Sequence, residues 1–224
     1  MRALKLLPAL NHPATIYDMG CGPGHSSVAL AAALQQKIIA VDLEQPFLDQ
    51  LQANAASKNL SHLIEVRRHD MLTLSDEDLS IDLIWAEGSI YCAGFDTALK
   101  TWRRRLRNNG MVACTELSWL TNNPADEAKE FWQVNYPQAR SIAQNIAAAE
   151  ESGFTCLEHF VLPESAWWDE YYNPTLANIE RLTAEATEDK YLAVAIAEAQ
   201  AEIDLYRNYS ADYGYVFYLL KKSD

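Results

Sequence analysis

Long apolar runs are missing from this sequence. Nothing in its 224 residues approaches the roughly 20 consecutive apolar side chains that span a bilayer, which excludes a transmembrane helix. The stretch Met1-Arg2-Ala3-Leu4-Lys5-Leu6-Leu7-Pro8 is too short for a signal segment, and a core strand is expected soon after it, so export is not expected. Cysteine is scarce: Cys21, Cys92, Cys114 and Cys156 lie far apart, with no CxxC pair. Each sits among apolar neighbours, which predicts buried free thiols and a reducing, cytoplasmic setting. His12, His62, His69 and His159 show no ligand-like spacing, so no metal is expected. Basic residues are also in short supply. The net charge is −13, and residues 118–224 hold 18 acids against 7 bases. Such a surface repels phosphate backbones, so nucleic acid is not an expected partner. The one basic cluster, Arg103-Arg104-Arg105 with Arg107, falls on an expected helix and reads as a solvated face.

What is present is an alternation of short apolar runs with helical patterns over the first half, the sign of a parallel sheet covered by helices. Strands are expected at 14–19, 37–42, 63–67, 81–86 and 111–117. Helices are expected at Ser26–Gln36, Gln45–Ser57 and Phe95–Leu106, the last stopped by Asn108-Asn109-Gly110. The second half changes character. Residues 118–137 read as a polar and aromatic connection, Gln138–Glu151 as a helix and Phe154–Leu162 as a strand. A long insertion at 163–212 carries Trp167-Trp168-Asp169-Glu170-Tyr171-Tyr172 and helical stretches near 174–186 and 188–208, before a last strand at Tyr213–Leu220. The whole reads as one domain, 1–224, with 118–137 and 163–212 as lid or insertion segments.

Chemistry concentrates at the strand–turn–helix Asp18-Met19-Gly20-Cys21-Gly22-Pro23-Gly24. Glycines there let a ligand approach the backbone and aim helix N–H groups at it. The dinucleotide fingerprint GxGxxG would need glycine at position 25, where His25 stands. Asp18, two residues before the first glycine, suits a ligand with an ammonium group better than a pyrophosphate. S-adenosylmethionine (SAM) carries an ammonium, a carboxylate and a sulfonium, and no phosphate. Asp42 ends the second strand, where an acid can accept ribose hydroxyls, and Asp70 and Met71 follow the third, where they can meet an adenine edge.

These segments resemble class I SAM-dependent methyltransferases. Ile16–Gly24 looks like the family's motif I, Ala40-Val41-Asp42-Leu43 its ribose motif, His69-Asp70-Met71 its adenine motif, and Asp82–Gly88 its motif IV. Leu106–Val112 looks like its lead into the fifth strand, with Asn108-Asn109 in place of Pro-Gly. Glu87–Tyr91 and Glu116–Leu120 look more narrowly like the bacterial small-molecule, type 11 and quinone-biosynthesis-like group. The resemblance implies a Rossmann-like α/β fold: a seven-stranded, mostly parallel sheet of order 3-2-1-4-5-7-6, flanked by helices, with a helical insertion before the last strand. It implies a methyl transfer from SAM to a small-molecule acceptor. It assigns Asp18, Gly20, Cys21, Gly22, Gly24, Asp42, Leu43, Asp70, Met71 and Glu87 to the cofactor.

Glu87, Tyr91 and Glu116 stand at expected strand ends near the transferred methyl, and Glu87 and Tyr91 are the candidates for proton transfer should the acceptor need it. His25 would stand at a helix N-terminus near the cofactor. Trp119, Trp167, Trp168 and Tyr171 are candidates for an aromatic lid over the acceptor; packing of the insertion on its own core is the alternative. The acidic insertion could equally be a homodimer interface. Two other functions stay open: a SAM-binding protein without catalysis, and a nicotinamide-dependent oxidoreductase, against which His25 counts.

Overall fold

The computed structural model describes residues 2–10, 13–184, 186 and 189–223. His12 and residues 185, 187 and 188, inside or beside the two expected helical stretches, lie outside the described residues. After a short helix α1 (Arg2–Leu6), strand β1 (Ile16–Met19) is buried at every position. It pairs in parallel with β2 (Ile38–Asp42) on one side and β4 (Ile81–Ala86) on the other. Strand β3 (Ile64–Arg68) continues the sheet beyond β2, and β5 (Leu106–Trp119) beyond β4, again in parallel. Continuous burial is what helices on both faces of a parallel sheet demand, and it explains why the central strands β1, β2 and β4 read as apolar runs, while the outer β3 is only half-buried and carries charges.

The remaining strands are β6 (Arg140–Ser141), β7 (Phe154–Val161) and β8 (Tyr213–Lys222). The sheet runs β3-β2-β1-β4-β5-β8-β7, with β6 paired only to β5. Setting aside the two-residue β6, this is the expected seven-strand order. β6 takes the place of the expected helix start at Gln138, and helix begins only at Ile142.

Helix α2 (His25–Leu34) and helix α3 (Gln45–Ser57) follow β1 and β2. Gly24 opens α2 with φ +89°, and a Cβ there would overlap Leu51 of α3. This glycine is required by the close approach of two helices. A one-turn helix α4 (Ile90–Ala93) precedes α5 (Phe95–Arg103), whose buried Phe95, Ala98, Leu99 and Trp102 form a stripe at helical spacing. The expected helix to Leu106 therefore stops three residues early. Leu106 is already in the sheet opposite Ile81, Met111 pairs with Leu83, and residues 107–110 bulge between them with Asn109 at φ +64°. The turn chemistry of Asn108-Asn109-Gly110 makes a bulge inside a long strand, not a break before a short one.

The basic cluster also differs from a plain solvated face. Arg103 donates to the carbonyls of Gly153 and Ser223, and Arg105 to those of Leu74 and Asp76. These guanidiniums tie loops together. Of the four cysteines, all free, Cys21 and Cys114 are buried as expected, but Cys92 is exposed on α4 and Cys156 half-buried on the edge strand β7. Short α4 and an edge strand offer less cover than the central strands do.

The chain forms two compact units, the first comprising Met1–Glu116, Ala143–Phe160 and Val216–Asp224, the second Leu117–Ile142 and Val161–Tyr215. Helix α7 (Ile142–Glu151) lies almost wholly within the first. The second contains α6 (Asp126–Asn135), α8 (Glu164–Trp167), a π-turn (Trp168–Tyr172), α9 (Asn173–Leu182) and α10 (Lys190–Tyr209). Asp189 caps α10 by accepting from Tyr191 and Leu192 N–H. The core of this unit is aromatic: Trp167 stacks on Tyr206 at 4.6 Å and on Tyr215 at 4.7 Å, with Tyr172 and Tyr213 beside it. Among the described residues no helix is long and apolar enough to cross a membrane.

The Gly24–Leu51 contact is testable. Gly24→Ala forces both a strained backbone and a displaced Leu51, and should lower unfolding free energy by about 2–4 kcal/mol. Urea denaturation followed by circular dichroism checks it; an unchanged midpoint would contradict the packing described.

Candidate cofactor site

The turn between β1 and α2 is fastened to the end of β2. Gly20 and Cys21 both donate their N–H to the Val41 carbonyl, at 2.8 and 3.0 Å. Gly22 donates to Asp42 Oδ2 at 2.8 Å, while Glu44 N–H takes Oδ1 at 2.9 Å. Asp42 thus organises two loops by one oxygen each, and its carboxylate still faces the space above them. The third strand is tied in by His69 N–H on the Asp42 carbonyl, and Asp70 Oδ1 closes the next turn by accepting from Leu72. Met71 is held through its carbonyl by the indole N–H of Trp102 at 2.8 Å.

These strand ends enclose a cleft of about 490 Å³, a volume suited to a small ligand. Gly20, Gly22, Asp42, Leu43, Asp70 and Met71 line it together. Gly20 has φ +66°, and a Cβ there would collide with Ser89, whose hydroxyl donates to the Met19 carbonyl. At one end Leu43 and Phe47 stand 57% and 43% exposed, unusually open for large apolar side chains and well placed to receive a flat ring. Gly24 and Cys21 are not part of the wall: Gly24 packs on α3, and Cys21 is buried, with its thiol pushed up by burial and by the neighbouring Asp18.

Asp18 and Glu87, also expected at the cofactor, are not among the residues that line this cleft, although Gly88, next to Glu87 in the chain, is. Asp18 is 1% exposed and accepts the Ser27 hydroxyl at 2.5 Å. Burial, then the charges of Glu87 and Asp42, push its carboxyl up to about 7 against the opposing pull of Ser27. Glu87, exposed just past β4, accepts from Ser26 Oγ at 2.9 Å and from the Trp85 indole at 3.0 Å. Adjacent serines in the first turn of α2 therefore hold two carboxylates from two different strands. Among the described residues no Lys or Arg pairs with Asp18, Asp42 or Glu87. Among the described residues no group of three potential ligands could hold a metal.

The other sequence candidates fall elsewhere. Tyr91 is exposed on α4, Glu116 is buried in β5, and His25 is exposed at the start of α2. Trp167, 4% exposed, belongs to the aromatic core of the second unit; Trp119 and Trp168 are half-buried against that core and Tyr171 is half exposed. Sequence reading missed Phe47, Ser89 and Cys92 as cleft residues, and Ser26 and Trp85 as holders of Glu87. Phe47 had a signal: it lies off the buried Leu48–Leu51 stripe of α3, an apolar residue with nothing else to cover.

The sequence model of the methyltransferase-domain family matches residues 16–110, the span that builds this cleft. Residues 16–110 are thus similar to a methyltransferase domain. It is 32% identical over 123 residues to a malonyl-[acyl-carrier protein] O-methyltransferase of Pseudescherichia vulneris, an alignment covering 54% of this chain and 45% of that one. The chain thus spans less than half the length of that relative. A SAM-dependent methyltransferase from Geobacter sulfurreducens, solved with S-adenosyl-L-homocysteine, shares the fold at TM-score 0.79 and 18% identity, over 99% of this chain and 88% of that one. So does the [4+2]-cyclase SpnF, at TM-score 0.73 and 22% identity, over 96% and 77% of the two chains. A shared fold alone therefore does not dictate the reaction.

Asp18 gives a pH prediction. Its carboxyl titrates near 7 in the folded chain against an ordinary 3.8, so its contribution to stability is complete below 3.8 and is lost as pH rises through about 7. Asp76 and Glu65 shift downward and act in the opposite sense. The stability of wild type relative to Asp18→Asn should therefore decline from pH 4 to pH 8, read as the difference in urea midpoint. A difference that rose with pH would refute the burial argument.

Proposed function

We propose that this protein is a SAM-dependent methyltransferase acting on a small-molecule acceptor. One observation carries the reading: a cleft with an apolar end at Leu43 and Phe47 and with Asp42 on its wall, built on a glycine turn beside which the Asp18 and Glu87 carboxylates have no Lys or Arg partner among the described residues. A pyrophosphate would meet repulsion there from Asp18, Asp42 and Glu87. An adenosyl group ending in ammonium and sulfonium meets attraction along the same path. Cofactors of the nicotinamide class are disfavoured for that reason, beyond the absent third fingerprint glycine.

When bound, SAM supplies a methyl group on a sulfonium, ready for in-line displacement. The chain's own residues do the rest by holding geometry and keeping water out. Asp42 takes the ribose hydroxyls with lone pairs not used by Gly22 and Glu44. Leu43, Phe47 and Met71 cover the adenine, and Asp70 meets its edge. Gly20 and Gly22 let the amino-acid moiety approach the backbone. Tyr91 is assigned to the acceptor side, where a phenol can take or give a proton at its oxygen. Segments 118–137 and 163–212 are assigned the acceptor contacts, through Trp119, Trp168 and Tyr171; Trp167 supports them as core.

A small molecule fits better than nucleic acid because the net charge is −13. Four free cysteines suit a reducing cytoplasm.

Calorimetry with SAM and with NADH tests the cofactor: SAM should bind in the micromolar range and NADH not at all. Asp42→Ala should weaken SAM at least about tenfold, the loss of a charged hydrogen-bond acceptor. Failure of SAM to bind at high micromolar concentration would remove the reading. S-adenosylhomocysteine release from a metabolite pool separates an enzyme from a silent SAM binder. Once an acceptor is found, Trp168→Ala and Tyr171→Ala should raise its KM several-fold while SAM affinity stays constant; equal KM values would clear those two residues of the role.

A further inference from the structure

Among the carboxylates around the glycine turn, Glu87 is held in an unusual way. Asp18 is sealed off and engaged by Ser27, and Asp42 is shared between two loops. Of these three, Glu87 alone is exposed. Its Oε2 accepts two side-chain donors, Ser26 Oγ and Trp85 Nε1, which fix its position and leave Oε1 open. An exposed glutamate is normally free to wander among rotamers. This one is anchored to a tryptophan that is 1% exposed and lies against Phe217, with ring centroids 5.1 Å apart. The other anchor is the first turn of α2, itself fastened by Gly24.

The position matters as much as the rigidity. With the adenine placed at Leu43, Phe47 and Asp70, the sulfur and amino-acid end of a bound cofactor falls towards Gly20, Gly88 and Ser89; Glu87 is not itself in the cleft wall but precedes Gly88 in the chain. The cofactor's charge changes at one atom during methyl transfer: the sulfur is positive before and neutral after. A fixed carboxylate beside that wall, with no Lys or Arg partner among the described residues, feels the change through space.

We propose that Glu87 reads the charge of the cofactor sulfur, favouring the methyl-bearing sulfonium over the neutral thioether, and that Trp85 and Ser26 are positioning residues acting through it. This rests on the SAM reading above. The preference makes exchange of spent for fresh cofactor downhill, a property of binding that does not depend on which acceptor is used.

The experiment is calorimetry with three probes: SAM, S-adenosylhomocysteine, and a non-transferable analogue with a protonated amine in place of the sulfonium. Glu87→Gln keeps shape and removes charge. It should raise the Kd of SAM and of the charged analogue about tenfold, and that of S-adenosylhomocysteine less than about threefold. Trp85→Phe and Ser26→Ala should each show part of this selective loss. Combining either with Glu87→Gln should add nothing further, because a positioning residue has no effect once its charge is gone. A merely structural tryptophan would weaken all three probes alike. If Trp85→Phe does not fold, Ser26→Ala and its double variant decide the matter. Equal losses for charged and neutral probes in Glu87→Gln, or none, overturn the proposal. Wild-type protein that binds none of the three instead overturns the SAM reading beneath it.

Discussion

The clasp between the first turn and the second strand is the constraint from which the site follows. Two successive N–H groups on one carbonyl, Val41, and a third on the carboxylate one residue later bring the glycine turn and the end of β2 into fixed register. That register sets where Asp42 looks, how close Ser89 can come to Gly20, and where α2 begins. The helix start in turn presents Ser26 and Ser27 to Glu87 and Asp18. Three strands contribute these carboxylates, yet one turn coordinates them.

The electrostatics run against folding stability and in favour of a ligand. A buried aspartate with a partly exposed and an exposed carboxylate nearby is an unfavourable arrangement by itself, visible in the upward shift of Asp18. Nothing in the chain neutralises it among the described residues. Natural proteins keep such local conflicts where function requires them, and the rest of the first unit is well supplied with pairing. The Tyr17–Arg67–Asp76 group and the Glu65–Lys37 bridge lie on the same sheet and are mutually satisfied.

Much of this was legible in the residues because parallel strands and glycine turns are local in sequence. The apolar runs at 16–19, 38–42 and 81–86 need both faces covered, and an acid at the end of one of them has only the ligand edge to face. The expected helix through Leu106 was not legible in its true length, since Leu106 is claimed by Ile81, a partner 25 residues away. The role of Trp167 was hidden likewise: aromatic composition looks the same whether rings line a pocket or stack on Tyr206 and Tyr215. The Glu87 anchor joins residues 61 positions apart through side-chain geometry that no periodicity encodes.

The two outer strands of the sheet have a bearing on solubility. β3 and β7 end the row, so each offers an open ladder of peptide groups to any passing strand. β3 sets Glu65, Arg67 and Arg68 along that border, and β7 places exposed Glu158 and His159 on its own. A second sheet adding itself there would have to strip water from those charges. Charges along both borders of the sheet therefore oppose the strand-to-strand stacking that begins fibrils.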